Sequence, residues 1–315
     1  MKHIFVINPA AGQTDSTEEI RAALAARSGL DYEIYVTQGQ KDATAFVRRR
    51  CEQSADEELR FYACGGDGTI NEVVSGLVGV KNAAMTVYPV GSGNDFIKYY
   101  GSKEDFLDLD GLIEGETEAI DLIRVGDRYS LNVCNFGFDT TVAQTMINVK
   151  HKKIIGGKRA YVTGVVTAVI KAMKNRCEVY ADGEKLNEEK MLLCTVANGK
   201  YVGGAFCCAP RSSATDGLLE VCLVKPISRF RFVKLLPVYT NGEHIDNERF
   251  SDCIVYRRAK KVEVVAPEGF CISLDGEIVA NHHFTAEVVP AAVRFVVPKR
   301  LRKAETNPCF QTVSG

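Results

Sequence analysis

The sequence predicts an α/β fold with a doubly wound, mostly parallel sheet, followed by an antiparallel β-sandwich domain. Three observations carry that expectation. Over roughly the first 100 residues, short apolar runs alternate with segments whose apolar residues recur at helical spacing, the pattern of β-α-β connections. Three of the four early strands end in glycine-bearing loops, at residues 8–12, 65–69 and 91–96. From about Asp121 onward helical patterns become rare and short β-rich runs take over.

In order, residues 3–8 form a first strand. Ser16-Thr17-Glu18-Glu19 has the capping-box pattern, and Ile20, Ala23, Leu24 and Arg27 carry a helix to a Ser28-Gly29 stop. Residues 32–36 are the second strand, and Asp42 opens a helix through Ala45, Phe46, Val47 and Arg50. Residues 59–64 are the third strand; Ile70, Val73, Val74 and Leu77 then fall at i, i+3, i+4 and i+7, the buried stripe of a helix. Residues 85–90 are the fourth strand. The second half reads as strands at 119–125, 129–135, 177–180, 191–197, 218–224, 253–257, 261–265, 270–274, 284–289 and 293–297, with helical segments at 158–174 and 228–239. Asp182-Gly183 and Asn198-Gly199 are hairpin signals.

At 315 residues the chain is long enough for two cores, and a formal charge of −1 leaves no global basic field for nucleic acid. Its 11 cysteines form no CxxC pair and no signal-peptide pattern precedes them. The expectation is therefore reduced, buried thiols in a cytoplasmic protein, not disulfides or a zinc site. No apolar run reaches the ~18 residues of a membrane span, so any membrane contact would be peripheral, at the inner surface.

By the handedness of β-α-β connections, the three loops lie at one end of the sheet, where ligands of such sheets collect. In Gly65-Gly66-Asp67-Gly68-Thr69 the glycines let the backbone approach an anion, and the following helix offers N–H groups at its start. Asp67 would repel a bare phosphate, which calls for a magnesium ion or a hydroxyl donor beside it. The loop reads as a nucleotide-phosphate site, although it is neither a Walker A motif nor a dinucleotide GxGxxG. The alternative is a tight turn with Asp67 as a solvated cap.

Seven segments together resemble one family. They are Asn8-Pro9-x-x-Gly12, Gly65-Gly66-Asp67-Gly68-Thr69-x-Asn71-Glu72, Gly91-Ser92-Gly93-Asn94-Asp95-Phe96, Asn135-Phe136-Gly137-Phe138-Asp139, Gly203-Gly204 before Ala209-Pro210, Asp216-Gly217-x-Leu219, and Ser273-Leu274-Asp275-Gly276-Glu277. Their order is similar to that of the diacylglycerol kinase catalytic-domain superfamily, closest to its soluble bacterial lipid kinases and related to sphingosine and ceramide kinases.

The resemblance implies a kinase that transfers the γ-phosphate of ATP, with Mg2+, to a hydroxyl of diacylglycerol or a related lipid. It implies a nucleotide-binding domain of residues 1–122 with a C-terminal return at about 298–315, and a lipid-binding domain of residues 123–297. Asn8, Pro9, Gly12, Gly65, Gly66, Gly68, Thr69, Gly91, Ser92, Asn94 and Asp95 would hold ATP. Asp67, Asp95 and Glu277 would engage the catalytic magnesium, and Asp275 would take the proton from the lipid hydroxyl. A structural magnesium would sit on Asp216, the Leu218 carbonyl and Ser213; some relatives carry a second aspartate at the last position, and fewer charges weaken such a site. Asp139 would orient the acceptor headgroup or cap the following helix. Some relatives have a basic residue just after Gly12, where this chain has Gln13-Thr14-Asp15, so an ion pair supporting the catalytic aspartates is missing or comes from elsewhere. The basic run at 150–159 would face an anionic bilayer. A long-chain-base kinase, an NAD-type or sugar-phosphate kinase and a catalytically silent lipid- or nucleotide-binding protein are the competing readings. The acceptor and the oligomeric state, a homodimer included, stay open.

Overall fold

Strands with apolar residues on both faces build the first sheet of the computed structural model, which describes residues 1–91, 93–138, 140–142 and 173–301. β1 (Lys2–Ile7), β2 (Tyr32–Val36), β3 (Leu59–Gly65) and β4 (Ala83–Pro89) are parallel in the order β2-β1-β3-β4. Every residue of β3 is buried. Beyond β4 the end of the last strand adds a further parallel partner, with Arg294 opposite Ala84 and Phe295 opposite Met85. These elements belong to one of two compact units, Met1–Ile120 with Ala291–Gly315; the other is Asp121–Pro290.

Helices of the first unit include α1 (Thr17–Ala25), α2 (Asp42–Gln53), α3 (Asp67–Leu77), α4 (Lys103–Leu107) and α5 (Leu109–Ile113). Buried Ile70, Val73, Val74 and Leu77 confirm the helical stripe. The capping box is corrected: Ser16 makes no side-chain cap bond. Asp15 Oδ1 accepts instead from the Thr17 amide at 2.8 Å and hydroxyl at 2.5 Å, the local competition that Asp side chains set up at helix starts.

Among the described residues, strands of the second unit lie in two large sheets and in two two-stranded pairs. Its strands are β5 (Glu116–Val125, shared with the first unit), β6 (Arg128–Ser130), β7 (Val133–Gly137), β8 (Asn175–Arg176), β9 (Glu178–Ala181), β10 (Glu184–Lys185), β11 (Lys190–Met191), β12 (Leu193–Ala197), β13 (Tyr201–Val202), β14 (Phe206–Cys207), β15 (Leu219–Val224), β16 (Ile254–Ala259), β17 (Lys261–Val265), β18 (Cys271–Leu274), β19 (Glu277–Ala280) and β20 (His283–Val297). One sheet is antiparallel in the order β16-β15-β12-β7-β18-β19; β10-β9-β17-β20 run antiparallel in the other. Alternate residues split between two cores: Cys194 and Val196 enter one, Leu193 and Ala197 the other, which α6 (Arg229–Thr240) covers with Phe232, Leu235 and Tyr239.

Two further expectations change. Asn198-Gly199 is not a hairpin turn, because Asn198 is fully buried and its amide donates to the carbonyls of Asp121 and Leu131. The expected pair of strands at 284–289 and 293–297 is one strand, β20, in which Ala291 takes a left-handed backbone (φ 50°). Nearly all of the helical segment expected at 158–174 lies outside the described residues.

Two buried histidines give the fold an acid limit. His3 Nδ1 lies 2.7 Å from the Tyr62 hydroxyl, and burial with the nearby Arg60 charge holds its pKa down to about 4. His244 is fully buried against the Tyr239 ring, and burial likewise holds it at about 4. The unfolded chain takes up these protons near pH 6.5 and the folded chain does not. Stability is therefore complete above about pH 6.5 and falls as pH drops toward 4, by up to about 3 kcal/mol per histidine. Urea denaturation at pH 7.5, 5.5 and 4.5 should show the decline, and His244→Phe should remove about half of it, leaving the share of His3.

Candidate functional site

The strand order places the first two loops at a switch point. The chain leaves β1 toward β2 and returns to β3 on the opposite side, so the loops after β1 and β3 flank the crevice where such sheets bind ligands. Asn8 spans them: its amide donates to Cys64 O at 3.0 Å, Nδ2 to Thr69 Oγ1 at 2.9 Å, and Oδ1 accepts from Ala10 N at 3.0 Å. Pro9 completes this turn, which Ala11 N closes by donating to Asn8 O at 3.1 Å.

The third loop is fastened to the second through Asp67, the first residue of α3. Asp67 Oδ2 accepts from Asn94 N at 2.9 Å and Oδ1 from Asp95 N at 2.8 Å. Gly91 N and Asn94 Nδ2 both donate to Gly65 O, at 3.1 and 3.0 Å. This packing uses up several glycines. A Cβ on Gly91 would stand 2.5 Å from Gly66 Cα, one on Gly93 2.4 Å from Asp67 Oδ2, one on Gly65 2.3 Å from Thr69 Oγ1, and one on Gly12 2.6 Å from Val90 O. The loops therefore need these glycines to touch each other. Gly68 alone of the motif has open space around it, and Gly66 has nothing nearer than 3.7 Å. No side chain caps the start of α3.

Asn94 sits at φ 52° and is buried, and its Oδ1 has no hydrogen-bond partner among the described residues. Asp95 is buried too, and Lys98 Nζ lies 2.5 Å from its Oδ1. Lys98 thus places a basic residue beside this loop, and its i, i+3 spacing from Asp95 is the signal that would have found the pair. Glu72 turns out to be a cap for α2, accepting from Lys41 N at 2.8 Å and Ala43 N at 3.2 Å. Ser92 lies outside the described residues.

In the second unit, Asp275-Gly276 form a two-residue hairpin turn at φ 48° and 91°, with Leu274 paired to Glu277. The Asp275 carboxylate is held by another segment. Oδ1 accepts from Ser130 Oγ at 2.6 Å, Val133 N at 2.9 Å and Asn132 N at 3.0 Å, and Oδ2 from Leu131 N at 2.7 Å. Sequence reasoning missed this cradle, since backbone donors leave no mark in residue identity. Glu277 is exposed, with Arg128 at 3.3 Å. Asp139 and the basic run at 150–159 lie outside the described residues.

The loop read for a structural magnesium offers poor cation ligands. Asp216 Oδ1 accepts from Leu218 N at 3.1 Å, its other oxygen is in an ion pair with Arg258, and the Ser213 hydroxyl lies 3.4 Å from that of Thr215. Arg258 also reaches buried Glu220 at 3.0 Å, its cross-strand partner. Among the described residues no cluster of three or more His, Cys, Asp or Glu side chains could hold a metal. The Arg258 guanidinium supplies the positive charge beside Asp216 here. Arg258→Ala leaves buried Glu220 without its ion-pair partner, and a loss of roughly 2–4 kcal/mol in denaturant unfolding is expected.

Loops interlocked at a sheet switch point, joined in one chain to an antiparallel sandwich with an acidic hairpin turn, are the arrangement of a lipid kinase class. Residues 2–125 match the diacylglycerol kinase catalytic domain, and residues 132–297 match the YegS C-terminal NAD kinase beta sandwich-like domain. The chain belongs to this family of diacylglycerol kinase and YegS-like proteins. The diacylglycerol kinase of Bacillus subtilis (strain 168) is 30% identical over 280 residues, which covers 87% of this chain and 88% of that protein. A "Probable lipid kinase YegS-like" from Enterobacter sp. (strain 638) is 28% identical over 297 residues, covering 91% and 94%. A crystal structure of a diacylglycerol kinase from Bacillus anthracis str. Sterne shares the fold, with a TM-score of 0.69 at 20% identity over 98% of this chain and 97% of that one.

Proposed function

We propose that this protein is an ATP- and magnesium-dependent kinase that phosphorylates the hydroxyl of diacylglycerol or a closely related lipid at the cytoplasmic face of a membrane. The observation that carries the reading is the Asp67 clamp: one carboxylate ties the loop after β4 to the start of α3, and leaves Gly66, Gly68 and an uncapped helix start open to an anion. In this reading the triphosphate lies against those N–H groups, framed by Asn8, Pro9, Gly12, Thr69, Gly91 and Ser92. The buried Asn94 Oδ1 supplies an acceptor to the nucleotide or its waters.

Asp67, Asp95 and Glu277 would hold magnesium, which when bound would neutralise charge on the transferring phosphoryl group. Asp275 accepts the proton of the lipid hydroxyl, and Asp139 orients the headgroup. The Ser130–Val133 donors keep the Asp275 carboxylate in one orientation.

Incubation with radiolabelled ATP, magnesium and a panel of diacylglycerol, monoacylglycerol, ceramide, sphingosine and NAD tests the proposal. Labelled phosphatidic acid from diacylglycerol is expected. Label in NADP, or in no lipid, would overturn it.

A further inference from the structure

A helix seated on a core needs one apolar stripe, and α6 has two. The inward stripe is Phe232, Leu235 and Tyr239. The outward one is Phe230, Val233 and Pro237, at i, i+3 and i+7, with Lys234 beside them, all exposed. Phe230 is 72% exposed and Val233 64%, the most exposed large hydrophobic residues among those described. Neighbouring apolar side chains left in water on one helix face mark an interaction surface.

The charge around that stripe selects the occupant. The helix carries Arg229, Arg231 and Lys234 and no acidic residue, and Lys225 is exposed just before it. Lys234 Nζ lies 4.3 Å from the centre of the Phe230 ring. The surface is preformed: Ser228 Oγ caps the helix by accepting from Arg231 N at 3.2 Å, and the Arg231 guanidinium grips Asp252 and the Arg249 carbonyl. An apolar stripe edged by cations fits a layer of acyl chains beneath anionic headgroups.

We infer that α6 docks the protein on an anionic lipid bilayer, with Phe230 and Val233 inserted at the headgroup boundary and Lys234 at the phosphates. The choice of a bilayer as the occupant rests on the lipid-kinase reading. The site is tied to the chemistry of its own unit: Phe232 packs on Phe138 at 4.7 Å, just past the end of β7, and β7 pairs with β18, which leads into the Asp275 turn.

The chain contains no tryptophan, so Phe230→Trp in the full-length protein reports from α6 alone. Its emission should shift to the blue on phosphatidylglycerol vesicles, be quenched by brominated acyl chains, and stay unchanged on pure phosphatidylcholine. The double variant Phe230→Glu with Val233→Glu should sediment with the anionic vesicles at least ~10-fold less than wild type. Both side chains are exposed, and circular dichroism checks that the fold is kept. An unquenched tryptophan, or a double variant that sediments like wild type, overturns the inference. So does an emission already blue-shifted without vesicles and dependent on protein concentration, which assigns the face to a second copy of the chain. Sedimentation is read without ATP, so absence of lipid phosphorylation would overturn the kinase proposal and leave this result standing.

Discussion

Asp67→Ala is expected to reduce lipid phosphorylation by about 1000-fold or more, while the protein remains folded. The carboxylate has two separable tasks. It accepts the amides of Asn94 and Asp95, which fixes a loop in which Asn94 holds a left-handed backbone. It also places negative charge at the start of α3, where it would meet magnesium. Removing it leaves two backbone donors without their partner, at roughly 1–3 kcal/mol, and frees the loop. Asp67→Asn keeps one acceptor oxygen and should retain more stability than alanine with no more activity. Gly93→Ala separates the tasks, because it preserves the charge but drives a Cβ to 2.4 Å from Asp67 Oδ2. If the interlock matters, Gly93→Ala should lose about 100-fold in kcat/KM with a raised KM for ATP. Full activity in Gly93→Ala would show that the clamp is dispensable, and full activity in Asp67→Ala would remove the carboxylate from the reaction.

How much of this was legible in the sequence depended on where the information resides. β1, β3 and β4 are buried on both faces, so they read as predominantly apolar runs, and their loops announced themselves through glycine. The purpose of those glycines was only partly legible. Close approach was inferred, but the partner of Gly91 and Gly93 is protein backbone and the Asp67 carboxylate, a fact that needs the strand order. Other misses share a cause. Asp15 displaced Ser16 as the acceptor at α1 because both residue types can serve and only the chain path decides between them. Arg258 meets Glu220 and Asp216 through a cross-strand register that no local pattern encodes. The Asp275 cradle is made largely of backbone amides of Leu131, Asn132 and Val133, to which composition is blind. Asn198-Gly199 has the composition of a turn, yet Asn198 went to the interior because two buried carbonyls required a donor.

The Asp275 cradle makes the second large effect specific. Asp275→Asn should lower kcat by at least ~100-fold with little change in KM for ATP, because on the proposed reading the group that takes the hydroxyl proton would be lost while the nucleotide would be held by other residues. Asparagine tolerates the left-handed backbone of this turn (φ 48°), so the hairpin survives. The amide cannot serve the whole cradle, however. With its oxygen toward Ser130, Asn132 and Val133, its NH2 group faces the Leu131 amide, donor against donor. A stability loss of about 1–3 kcal/mol is therefore expected alongside the kinetic one. Ser130→Ala distinguishes the two roles. It removes one donor from Oδ1 and leaves the base, so kcat should fall by only about 3- to 10-fold. If Ser130→Ala and Asp275→Asn lost equal activity and equal stability, the carboxylate would be a structural cap of the turn, and the proton acceptor would have to be sought elsewhere.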